Sequence, residues 1–422
     1  MRKTINKLFL IITVISALLL TTGCDLFIKT NKGQVDQKWY MGLTYEDDNG
    51  NDTDYTIETD GTIAAVALED GYGDEFGIIK GEEAYLNINT IIKNIDKRFY
   101  VDATNNLVMF TDATKTYKTK IGGKTINETE NTDYVISFMD GKNCYVNVKF
   151  VKKYVDFDYK VVKAEGKSPA RIVLKYTSGE KNQMTVKSNI EMRTKADYQN
   201  LIVTTLKKNT KVTILEESGD WTKVGTDDGF MGYVPAKKLK DKETKKTDFK
   251  SDADTYTHVL MDKKISLGWN AITNLTANGN LETIIEHTKG LNVISPTWYS
   301  LSDNKGNLRS YASATYVEKA HSKGLKVWAL VNDFGTQDKA SKEYTKKVLT
   351  DTTKRENLVD NIMTNIKDYN LDGINIDFEF INKDIINSYL QFLRELSIEC
   401  RKAGKVLSID NYVPSSGSEY YD

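Results

Sequence analysis

The 422-residue chain has only three cysteines, four prolines and three histidines. Three cysteines cannot build a disulfide scaffold, and His258, His287 and His321 are too scattered to suggest a metal centre or a triad. Charge of one sign is lacking too: 58 Lys and Arg against 59 Asp and Glu give a net charge of −1. That balance excludes a strongly basic nucleic-acid binder. No apolar run reaches the ~20 residues of a membrane-spanning helix. The chain is nonetheless 40% hydrophobic with five Trp, enough to fill real cores and exclude wholesale disorder. At ~150 residues per domain, its length suggests about three domains.

The first 23 residues read as a signal peptide. Arg2, Lys3 and Lys7 form a basic start, and Leu8 to Leu20 is an apolar stretch of thirteen residues. Gly23-Cys24 then resembles a bacterial lipobox, which implies that Cys24 carries a lipid and becomes the mature N-terminus. Thr21 stands where a lipobox has Leu, so ordinary secretion is the alternative. Removing residues 1–23 leaves 55 basic and 59 acidic groups, a net charge of −4. The expected location is therefore outside the cytoplasm, lipid-anchored to the membrane through Cys24, or secreted into the wall. Cys144 and Cys400 are expected to be free and buried.

Residues 36–176 alternate in short runs punctuated by Gly, Asn and Asp, which predicts an all-β region. It contains an echo at an offset of sixty residues: Tyr85-Leu86-Asn87-Ile88 returns as Tyr145-Val146-Asn147-Val148. The pattern resembles the copper amine oxidase N-terminal-like stalk modules of bacterial surface proteins, without a His cluster to suggest copper. Convergent hairpin patterning is the alternative. The acidic run Asp47 to Asp54 lacks calcium-loop spacing and reads as a solvated turn.

Residues 186–239 contain Gly219-Asp220-Trp221-Thr222-Lys223-Val224 and then Gly229-Phe230-Met231-Gly232-Tyr233-Val234. That order resembles a bacterial SH3-like domain, a small barrel with Trp221 and Tyr233 as its largest apolar pieces; the resemblance implies binding to wall peptide or peptidoglycan. Residues 240–256 are expected to be a charged linker, since Lys237 to Asp254 holds twelve charged residues in eighteen.

Over 257–422 the texture becomes strand then helix, repeatedly. Strands are expected at Ile265–Trp269, Leu291–Thr297, Leu325–Val331, Leu371–Phe380 and Val406–Tyr412. An amphipathic helix is expected from Asp384, as its cap, to Ala403, with Gly404 just past its end. Such alternation predicts a parallel sheet, most simply a (β/α) barrel. On the fourth strand, Asn375, Asp377 and Glu379 share one face and Ile374, Ile376 and Phe378 the other. Polar groups approaching the C-terminal end of a barrel strand occupy the place where barrel enzymes keep their chemistry.

The segment Asp372-Gly373-Ile374-Asn375-Ile376-Asp377-Phe378-Glu379 resembles the signature strand of glycoside hydrolase family 18, with Asn375 in a place where the family has Asp. It looks especially like the peptidoglycan N-acetylglucosaminidases of spore-forming bacteria. The resemblance implies cleavage of β-1,4 bonds after N-acetylglucosamine, with the substrate acetamide as nucleophile and retention of configuration. Glu379 is then the acid and later the base, a role that requires it to hold a proton near neutral pH. Asp377 orients the acetamide and stabilises the oxazolinium-like intermediate. Asn375 can donate a hydrogen bond to Asp377 but cannot share its proton. Asp372 has the opposite parity and is expected to support the structure.

Further candidates for the sugar-binding wall are Trp298 and Tyr299 after the second strand, Asn332-Asp333 after the third, and Asp410 and Tyr412 on the fifth. Core or rim packing is the competing reading for each. Trp269 and Trp328, inside apolar strands, are expected in the core. No cofactor or metal is expected. The fold class expected is thus multidomain: all-β N-terminal modules, one stalk-like and one an SH3-like barrel, then a (β/α)8 TIM barrel left incomplete after five strands. The partner expected is peptidoglycan or another N-acetylglucosamine polymer, not nucleic acid. The rival reading is a non-catalytic wall-binding lipoprotein or inactive fragment, and a surface adhesin is a third.

Overall fold

A computed structural model of the protein describes residues 30–250, 256–334 and 339–411. The described residues form two compact units, one from 30–90 with 151–250 and one from 91–150 with the described part of 256–411. The β-rich region expected as one domain over 36–176 is thus divided between them. The sixty-residue echo has a structural counterpart. Strand Glu83–Asn87 and strand Asn143–Asn147 each run directly into a helical turn. Asn87 and Asn147 each accept the backbone N–H two residues on, both at 2.9 Å.

In the first unit, Glu83–Asn87, Gly77–Lys80, Thr62–Ala67, Ala170–Lys175 and Asp158–Val162 lie side by side in that order. A second sheet orders Ile202–Leu206, Ile190–Arg193, Met231–Pro235, Trp221–Gly225, Lys211–Ser218, Gly179–Val186 and Leu239–Thr247. Val186, Met192, Val203, Val212, Val224 and Val234 are buried. Trp221 and Tyr233 are only half-buried, and Trp221 packs edge-on against Tyr198 with ring centres 4.8 Å apart.

The stretch read as a charged linker is instead a strand as far as Thr247. Leu239–Thr247 pairs antiparallel with Gly179–Val186 at the edge of the sheet. Only Leu239 is buried, and Lys240 to Lys246 stand in solvent. Charge on an edge strand discourages further pairing while the backbone still completes the ladder. Composition therefore registered the solvation of this segment and missed its hydrogen bonds.

In the second unit, β1 (Phe99–Asp102), β2 (Leu107–Thr111) and β3 (Thr116–Lys120) form an antiparallel sheet. The five expected strands are all present: β4 (Leu267–Asn270), β5 (Val293–Pro296), β8 (Lys326–Asn332), β9 (Gly373–Asp377) and β10 (Val406–Ile409). They pair in parallel in that order. A hairpin that the sequence did not signal, β6 (Tyr299–Leu301) with β7 (Leu308–Ser310), adds to the far end of β8. Helices α1 (Leu281–Glu286), α2 (Ala314–Ser322), α3 (Lys339–Leu349), α4 (Thr352–Asp368) and α5 (Ile386–Lys402) connect the strands.

Strand parity builds the core. Val327, Ala329, Val331, Ile374, Ile376 and Phe378 turn to the helices and are fully buried among them. Phe378 stacks on Phe392 of α5, centres 5.6 Å apart. Asp384 does not cap α5: the cap position falls to Ile385, with no side-chain bond, and Asp384 lies one residue too early. Gly404 ends the helix as expected, with φ +64°. Trp328 is buried, but Trp269, expected in the core, is 58% exposed. The reason is its place on β4, which among the described residues pairs only with β5. Cys144 and Cys400 are buried free thiols, both pushed up to about 12 by burial.

Candidate active site

The polar row of β9 meets matching rows on its two neighbours. Leu330 lies opposite Asn375, and Asn332 opposite Asp377, across β8 and β9. Asn375 lies opposite Ser408 and Ile376 opposite Ile409 across β9 and β10. The backbone N–H of Asp410 donates to the Ile376 carbonyl at 2.8 Å, which carries the ladder one residue further and sets Asp410 beside Asp377. Asn332, Asp377 and Asp410 therefore form one layer at the C-terminal end of the parallel sheet. Asn375 lies one layer below, only 2% exposed.

Electrostatics single out Asp377. Its carboxyl is pushed up to about 7, first by burial and then by the carboxylates of Asp410, Glu379 and Asp333. Like charges gathered at this partly desolvated sheet end cannot all ionise freely, so a proton is retained near neutral pH. Asn332 is buried, and its side-chain carbonyl oxygen has no hydrogen-bond partner among the described residues. A buried acceptor of this kind costs free energy unless something supplies a donor.

Asp372 lies at the other end of β9, away from this cluster. One carboxylate oxygen accepts from the Val327 N–H at 2.9 Å and contacts His321 Nε2 at 2.8 Å; the other accepts from Lys326 Nζ at 2.8 Å. These bonds hold its carboxyl below its usual range, against burial, which acts the other way. Asp372 thus joins β9 to β8 and α2 at the end of the strand away from Asp377.

The structure corrects two of the expected sugar contacts. Trp298 and Tyr299 are wholly buried. The Trp298 indole donates to Asn278 Oδ1 at 2.8 Å and packs edge-on against Tyr316, centres 5.1 Å apart. The chain turns from β5 into the unforeseen hairpin at this point, which carries both rings into the helix layer. Tyr412 and Cys24 lie outside the described residues. Among the described residues, no group of three or more His, Cys, Asp or Glu side chains could hold a metal ion.

Asp333, offered by the sequence as a candidate for the sugar-binding wall beside Asn332, takes a different place in the structure. It is wholly buried and accepts from the Glu379 N–H at 2.8 Å, the Phe380 N–H at 3.1 Å and Thr345 Oγ1 at 2.9 Å. Its parity is opposite to that of Asn332, so strand alternation alone turns it away from the layer of Asn332, Asp377 and Asp410. The only signal was a second polar residue closing an otherwise apolar strand.

Comparison with known proteins agrees with two segments of the chain. Residues 276–422 match the family described as Glycosyl hydrolases family 18, and residues 188–240 match the Bacterial SH3 domain. Among solved structures, similarity extends to the spore cortex-lytic enzyme SleL of Bacillus megaterium, at 19% identity and a TM-score of 0.30, covering 36% of this chain and 37% of that one. A chitinase from Chromobacterium violaceum has 16% identity and a TM-score of 0.30, over 34% of this chain and 44% of the other. A chitinase from Bacteroides thetaiotaomicron has 21% identity and a TM-score of 0.29, over 35% and 46%. The chain spans less than half the length of each of these three. No curated protein matches it. The chain therefore carries a family 18 domain and a bacterial SH3 domain.

Proposed function

We propose that the protein is an exported glycoside hydrolase that cleaves β-1,4 bonds after N-acetylglucosamine in peptidoglycan or a related polymer. The observation that carries this reading is the cluster of Asp377, Asp410, Glu379 and Asp333, with the Asp377 carboxyl held near 7, on a strand of family 18 sequence.

In this reading Glu379 protonates the leaving glycosidic oxygen. The acetamide carbonyl of the sugar attacks its own anomeric carbon, and an oxazolinium-like intermediate forms. Asp377 orients the acetamide and balances the positive charge that develops. Water, deprotonated by the now ionised Glu379, then opens the intermediate from the face the leaving group occupied. Two displacements at one carbon give net retention. Asn332, whose side-chain carbonyl oxygen has no partner among the described residues and which lies opposite Asp377, supplies an acceptor for a substrate N–H or O–H. Proton NMR of the first product tests the mechanism. A β-anomer at early times supports it, and an α-anomer overturns it.

A second reading, sugar binding without cleavage, is favoured by the exposed Trp269. An open indole face on an edge strand suits stacking on a sugar ring, whereas the site candidates Trp298 and Tyr299 are sealed in the core. The SH3 domain would hold the chain on wall peptide or peptidoglycan, and the leader with Cys24 would anchor it to the outer face of the membrane.

A further inference from the structure

We infer that Asp333 is the positioning residue of Glu379: its carboxylate grips the backbone where the chain leaves β9 and so fixes the acid relative to Asp377. This rests on the reading of Glu379 as the acid.

Among the described residues, β9 ends at Asp377, and the last bond on its β10 side is the one from Asp410 N–H to the Ile376 carbonyl. Glu379 therefore lies past the end of the pairing, where neighbouring strands no longer dictate the course of the backbone. The N–H groups of Glu379 and Phe380 both turn to the same carboxylate, at 2.8 and 3.1 Å. Thr345 of α3 donates the third bond, at 2.9 Å, and its hydroxyl also contacts the Ser341 carbonyl at 3.2 Å. One buried side chain at the end of β8 thus ties together a strand end, a helix and the segment that carries the acid.

Charge matters to this arrangement. A buried carboxylate is costly unless donors surround it, and bonds from neutral N–H groups to an ionised acceptor are stronger than neutral pairs. An amide at position 333 would offer one oxygen to three donors and set its own NH2 against a backbone N–H. The ionisable groups nearby are Asp377 and Glu379 from the β9 segment and Lys342 of α3, whose ammonium lies 5.4 Å from the centre of the Phe380 ring. Burial pushes the Asp333 carboxyl up to about 6, with the bonds from Glu379, Thr345 and Phe380 opposing. The grip therefore weakens as pH falls through about 6, when protonation removes the charge that the N–H groups face.

The test uses the full chain, with Asp333→Asn and Thr345→Val variants. NMR follows the amide protons of Glu379 and Phe380 across pH 6 while reducing-end release from peptidoglycan is measured. In the wild type, both amides should move together with a midpoint near 6, and in Asp333→Asn that shared transition should vanish. The same variant should lose about 10- to 100-fold in kcat with KM nearly unchanged, as expected when an acid is displaced but binding is not. Thr345→Val removes one donor and keeps both backbone bonds, so the shared midpoint should rise. If Asp333→Asn does not fold, that rise carries the test. Amides that titrate independently, a midpoint indifferent to Thr345→Val, or a folded Asp333→Asn with wild-type kcat each overturn the inference. A wild type without activity whose two amides still titrate together upholds the positioning and removes the proposed reaction.

Discussion

Asp102, at the end of β1, accepts the backbone N–H of Thr352 at 2.6 Å and its hydroxyl at 2.5 Å, at the first residue of α4. The same carboxylate accepts from the backbone and the side chain of Asn105, both at 2.9 Å. Close by, Arg355 is buried against Glu395 at 2.7 Å, and Gln391 of α5 donates to Thr111 of β2 at 2.8 Å. Tyr100 meets Ser388 at 2.9 Å. A segment far upstream in sequence is thereby built into the polar core of the second unit. Asp102→Ala should destabilise that unit by about 2–3 kcal/mol, because it strips a buried helix end of its acceptor. Calorimetry would check this. Hydrogen bonds hold the Asp102 carboxyl below its usual range against the effect of burial, so its stabilisation is present at neutral pH and lost as pH falls through that lowered value.

Asp377 predicts the opposite sign. A carboxyl raised on folding favours the folded state while protonated, and that contribution is lost as pH rises from the unfolded value near 4 through about 7. Asp377→Asn should therefore raise Tm at neutral to mildly alkaline pH and change it little in acid, while abolishing cleavage. Thermal unfolding of both proteins at the two extremes tests this.

Asp372 should be separable from the chemistry. Removing its bonds to Lys326, Val327 and His321 by Asp372→Ala should cost about 1–2 kcal/mol of stability. The folded remainder should keep its kcat, and a pH profile of altered shape would contradict this.

The two tryptophan sites should part company. Trp298→Ala opens a cavity in the helix-facing core and should cost about 3–5 kcal/mol. Trp269→Ala removes an exposed ring and should leave Tm within about 1 °C, an effect of the size of a surface substitution. Glycan binding measured by calorimetry on the Trp269→Ala chain then tests whether that ring stacks on sugar.

Cys24→Ala should abolish incorporation of labelled fatty acid and shift the protein from the membrane fraction to the soluble one. Unchanged partition would contradict the lipid anchor.

Periodicity made the parallel strands legible, because β8 and β9 carry unbroken apolar faces and α5 a clean stripe. It placed Asn375, Asp377 and Glu379 on one row because side-chain parity on a strand is fixed. It did not reveal the hairpin after Trp298, whose six paired residues carry no alternation long enough to read. The edge strand Leu239–Thr247 was hidden for the reverse reason: ladder bonds hold it, and its side chains bury almost nothing. Asp333 was legible as a polar residue closing the third strand, but not its hold on Glu379 and Phe380, because those partners are backbone groups 46 and 47 residues away and such bonds leave no residue pattern.

Reducing-end release from purified peptidoglycan by this chain and by its Glu379→Gln variant tests the assignment of Glu379 as the acid most directly. Cleavage by the wild type, reduced at least about 100-fold in a folded Gln variant that still binds the glycan, is the predicted result. Equal rates in the two proteins, whether zero or not, would contradict it.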